Sequence, residues 1–207
     1  MVFGVGSPAN DIMGSMRVAL CQIPVSSRPE VNAGRVRDAL GSAAAQGADL
    51  AVFPEATQAR FGSDLLAAAE PLDGPFCSGL AAAAKQTGVA LVAGAELLVL
   101  PAAWAAGLFK EEHWVTLVRA RAIENTMWVA AVCQVPDPGE PPTKAATGVG
   151  RSMLVDPLGV VRADLGPAAG VTVAEVDTSL IATVRATLPS LANRRDDVFG
   201  PPAPVTQ

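Results

Sequence analysis

Glu55 closes the run ADLAVFPE at residues 48–55, so a carboxylate follows directly on a stretch that reads as a buried strand. An acid at a strand's carboxyl end, next to Phe53 and Pro54, has the apolar surroundings that raise a carboxyl pKa and suit a general base. The competing reading is a helix cap or a solvated side chain. Trp104 ends a second apolar run, PAAW, where an indole more often forms core or pocket wall than takes part in chemistry. The three cysteines are the only thiol nucleophiles on offer. Cys21 in VALCQ and Cys133 in AAVCQ lie inside strand patterns, where a free Cys acts as a small buried hydrophobe. Cys77 follows DGPF at a helix start, where the helix dipole lowers a thiol pKa, although many such cysteines have no function. Lys110 and the lone imidazole, His113, open the segment KEEHW. With no Ser or Cys motif beside it, His113 reads as a helix-start packing or hydrogen-bonding residue. Arg119, Arg121 and Glu124 are expected to form a buried or semi-buried ion-pair network on the same helix. No spacing suggests a metal site, a phosphate loop or a nucleotide fingerprint, so neither metal nor cofactor is expected.

These residues need a scaffold, and the chain alternates strand and helix signals. Strands are expected at residues 16–23, 48–53, 127–135 and 170–176, and a hairpin at 152–162 around the turn DPLG. Helices are expected at 32–46 with Gly47 as C-terminal cap, at 79–86, at 111–125 with two acids in its first turn, and at 180–187. Residues 137–148 form a Pro-rich loop. Such alternation indicates α/β layers, with functional groups at the carboxyl ends of strands. One stretch breaks the pattern. In GVALVAGAELLVLPAAW, residues 88–104, two strand-like runs meet with only Gly94 and Ala95 between them. A parallel pair needs a crossover of a dozen or more residues, so either one very long strand runs here or an intervening block is missing.

Composition bounds the rest. The 207 residues are long enough for one domain with a substantial core, and half are hydrophobic while 17% are charged. A net charge of -5 argues against a nucleic-acid surface, and no apolar run reaches membrane-spanning length. The first fifteen residues are polar and Gly-rich, without a signal peptide's basic and apolar regions, and are expected to be an extension. Three scattered cysteines fit reduced thiols in the cytoplasm.

The blocks MRVALCQIPV, GADLAVFPEAT, GAELLVLPAAW and KEEHWVTLVRARAIENTMWVAAVCQ together resemble the carbon-nitrogen hydrolase (nitrilase) superfamily, its ω-amidase-like branch of small bacterial amidases most of all. TGVGRSMLVDPLGVV and VRATLPSLANRRDDVF continue the likeness to residue 199. It implies an α-β-β-α sandwich and a Cys-dependent amidase that converts small carboxamides to acid and ammonia. In such an enzyme a Cys attacks the carbonyl, a Glu takes its proton, and a Lys stabilises the oxyanion. Glu55 matches the general-base position, and Trp104 would line the substrate pocket. The segment that carries the Lys, a second Glu and the Cys has no counterpart here, and Lys110 matches the Lys in type only.

The resemblance thus implies an internal deletion with its junction near 94–95, within one domain over residues 16–199 followed by a tail at 200–207. The expected fold is a truncated α-β-β-α sandwich lacking its central strands. Three functions compete: an amidase for small amides, a non-catalytic pseudoenzyme acting by binding or self-association, and an unstable remnant. Apolar faces left bare by a lost block invite homo-oligomers, whereas no nucleic-acid or membrane partner is expected. The joined stretch should break at Gly94, with residues 97–100 beside 127–135.

Overall fold

The computed structural model describes residues 15–71, 73–87, 97–141 and 143–189. In chain order the elements are β1 (Ser15–Gln22), α1 (Pro29–Ala45), β2 (Leu50–Val52), α2 (Leu65–Ala68), α3 (Pro75–Thr87) and β3 (Leu97–Ala102). They continue with α4 (Lys110–Asn125), β4 (Trp128–Cys133), β5 (Met153–Val155), β6 (Val161–Asp164), β7 (Gly170–Asp177) and α5 (Ser179–Thr187).

The strands form two sheets. In the first, ordered β2-β1-β7, β1 pairs in parallel with β2 and antiparallel with β7 over its whole length, from Ser15 opposite Asp177 to Gln22 opposite Gly170. The second is ordered β3-β4-β5-β6, with β3 parallel to β4 and the remaining pairs antiparallel.

Period-two alternation explains how the sheets stack. Val18 and Leu20 of β1 face one way and meet Leu97, Trp128, Ala130, Val132 and Leu154 of the other sheet in a shared core. Ala19 and Cys21 face the opposite way, onto Val36, Leu40 and Ala43 of α1 and Ala83 of α3. On the far side of the second sheet, Val129, Ala131 and Cys133 pack against Trp114, Val118 and Ala122 of α4. The result is helix, sheet, sheet, helix: an α/β sandwich of two face-to-face sheets, as the resemblance implies.

Local signals account for most boundaries. Pro29 opens α1 three residues before the expected start, since its fixed φ and missing N–H suit a first helical position. The same holds for Pro75, which opens α3 ahead of the expected residue 79. The Gly47 N–H donates to the Ala44 carbonyl and the Ala48 N–H to that of Ala43, with Gly47 at φ 70°, which ends α1 in a Schellman motif. The DPLG turn closes the β5–β6 hairpin, with Gly159 at φ 77° and the buried Asp156 carboxylate accepting the Leu158 and Val160 N–H groups.

β3 lies parallel to β4, Leu97 opposite Trp128, and α4 connects them, in keeping with the expected placement. The first strand-like run of residues 88–104 up to the break at Gly94, residues 1–14 of the expected extension and the tail from residue 200 lie outside the described residues, while Ser15, counted with the extension, is the first residue of β1 and pairs with Asp177. One expectation is corrected. Arg119, Arg121 and Glu124 form no buried network: the Arg119 Nε–H donates to the Gly159 carbonyl at 2.8 Å, while Arg121 and Glu124 pair on the surface. Arg121 and Glu124, three residues apart, share a face of the helix, whereas Arg119, two residues before Arg121, projects to the opposite side.

Candidate functional site

β1, β2, β3 and β4 all run the same way, because Pro24 just past β1 bridges in parallel to Val135 just past β4. Their carboxyl ends therefore share one rim. The loops over residues 23–28, 53–64, 103–109 and 134–150 leave the sheets there, and both Glu55 and Trp104 lie on them.

Glu55 occupies a turn after β2 and is exposed. Thr57 Oγ1 donates to the Pro54 carbonyl at 2.6 Å, and Ala56 has φ 56°, in the left-handed region that a residue with a Cβ rarely adopts. Trp104 is half-buried on the α4 side. Its indole N–H donates to the Lys110 carbonyl at 2.8 Å, its ring lies 5.7 Å from that of Trp114, and Lys110 Nζ sits 5.4 Å from its centroid, a cation–π arrangement. The only imidazole, His113, is exposed on the first turn of α4.

The thiols are placed for packing. Cys21, Cys77 and Cys133 are all buried. Burial pushes the Cys21 thiol up to about 12 and raises that of Cys133 as well. Cys77 corrects the expectation of a lowered pKa. Burial comes first and the Glu70 carboxylate second, and both hold its thiol above the ordinary value. Glu70 also takes the Cys77 backbone N–H at 2.9 Å, so the helix start already has its anion.

The densest polar chemistry on the rim lies in residues that the sequence reading passed over. The Glu140 carboxylate accepts from Ser26 Oγ at 2.6 Å, from Ser27 N–H at 2.9 Å and Oγ at 2.7 Å, and from Arg60 at 3.3 Å. The Ser26 hydrogen bond first, and then those of Ser27, hold its pKa down at about 2. Asp137 takes a 2.8 Å contact from Arg35, whose hydrogen bond lowers its pKa, and Arg35 also reaches the Pro24 carbonyl. Beneath them the fully buried Asn32 holds two loops together. It exchanges hydrogen bonds with the Ser26 backbone and donates to the Gln58 carbonyl. Two ion pairs thus clamp the loop after β4 onto α1 and onto the loop after β2.

Under that clamp lies a cavity of about 310 Å³. Arg60, Asp137 and Glu140 give it charge, Thr143 and Thr147 hydroxyls, and Pro136 and Pro141 an apolar wall. Neither Glu55 nor Trp104 lines it. The signal in the sequence was two carboxylates within the Pro-rich run PDPGEPP, residues 136–142, just after a buried strand. Among the described residues no cluster of His, Cys, Asp and Glu could hold a metal ion, and no helix is long and apolar enough to cross a membrane.

Sandwich and rim define a four-layer α-β-β-α scaffold of the nitrilase type. The chain belongs to the carbon-nitrogen hydrolase family, whose sequence model matches residues 17–98 and 92–186. It is 28% identical over 272 residues to Hydrolase Rv0480c of Mycobacterium tuberculosis, covering 88% of this chain and 97% of that one. It is 43% identical over 109 residues to the deaminated glutathione amidase of Escherichia coli O157:H7, covering 53% of this chain but 37% of the amidase. In structure it resembles the Caenorhabditis elegans NitFhit protein, with a TM-score of 0.77 at 20% identity over 90% of this chain and 66% of that one.

Proposed function

We propose that this chain is a carbon-nitrogen hydrolase family member that has lost amide hydrolysis while keeping part of the ancestral scaffold, including Glu55 at the general-base position. The observation that carries this reading is the state of the thiols. The chain has three cysteines, all of them buried, each with its pKa raised. The family's reaction needs a thiolate that can reach a carbonyl carbon, and a buried, protonated thiol is a poor nucleophile. Lys110, the nearest in type to the family's oxyanion stabiliser, is turned onto the Trp104 ring.

The match to Rv0480c supports an internal deletion. An alignment of 272 residues that takes in 88% of a 207-residue chain leaves roughly ninety positions of the relative without a counterpart. The family model matches in two pieces whose ends overlap at 92–98, around the proposed junction at 94–95. We read residues 16–199 as one domain on this basis, with cytoplasmic location in keeping with its unpaired thiols. Loss of the nucleophile alone typically removes nearly all the rate of such a catalytic unit.

Ammonia release from a panel of short carboxamides tests the reading, and no turnover above buffer is expected. Turnover that vanishes in Glu55→Gln would show that a working base and nucleophile persist. Turnover abolished by Cys77→Ser would show a recruited thiol.

A second role, self-association, is favoured by one surface. Ile123 of α4 abuts Gly159, flanked by Leu158 and Val160, and all three apolar side chains are at least 44% exposed. Light scattering across a concentration series should then show a homo-oligomer, and a monomer at all concentrations removes this role.

A further inference from the structure

We draw no further inference here: the strongest candidate, the outer edge of β3, whose half-buried Leu98, Val99 and Leu100 pair among the described residues with β4 alone, carries nothing because nothing in the structure shows what covers it.

Discussion

Glu140 gathers four donors from three residues, and its neighbourhood makes a sharp statement about pH. Its folded pKa of about 2 lies below the ordinary 4.5, so its contribution is complete above the unfolded value and is lost as pH falls through the folded one. Glu140→Gln keeps the shape but sets an amide against donors, and charge-assisted hydrogen bonds of this kind support a loss of about 2 kcal/mol at pH 7. Urea midpoints should show that gap shrinking between pH 4.5 and pH 2, and a gap that widens on acidification would refute the assignment. This residue also shows where reading a sequence stops. Glu55 stood out because its apolar neighbours precede it directly, whereas Glu140 finds Arg60 across 80 residues and Ser26 across 114. Local periodicity carries no trace of such pairings. The buried cysteines were legible for the opposite reason, since a thiol within an apolar strand pattern has nowhere else to go.

Elements were legible where one local rule set them. The acids that open α4, the DPLG hairpin and Gly47 after α1 each act within a few residues, and each falls where the sequence placed it. Starts of α1 and α3 fell later in the reading than in the structure, because the helical pattern of apolar residues was given more weight than the Pro at the first turn. Two glycines with opposite duties test how the elements are held. Gly34 lies inside α1 with open space around the position of a Cβ, so Gly34→Ala should stabilise the fold by about 0.5–1 kcal/mol through the unfolded chain's lost freedom. Gly148 has φ 93°, and a Cβ there would lie 1.7 Å from the Gln134 carbonyl oxygen. Backbone cannot yield as a side-chain tip can, so Gly148→Ala should cost ~3 kcal/mol or more and loosen the loop that carries Glu140. Thermal denaturation of both variants decides the matter, and a Gly148→Ala protein as stable as the parent would mean that the loop is not pinned to β4.

At the scale of the molecule, β1 is the strand paired on both sides in the three-stranded sheet, β4 and β5 are those in the four-stranded one, and β1 and β4 face each other through the shared core. The layer order followed from the family resemblance. The strand order did not, because a short apolar strand carries no mark of its neighbours. Loss of a central block need not unfold such a sandwich if the remaining pairings stay closed around these two strands. β1 holds hydrogen bonds to β2 and along all of β7, while β4 is bonded to β3 and β5 and is buried at every position. Exchange of backbone amides reports the free energy of opening each region, from near zero at frayed edges to the global value in the core. The slowest amides should therefore be those of Val18–Leu20 and Val129–Val132, with α1 and α4 next and the outer strand β6 faster. Equal protection in both central strands would mark the two halves flanking the proposed junction as one cooperative unit. Protection in β4 without β1 would mean that the halves fold apart, and uniformly fast exchange would mean that the scaffold does not hold at all.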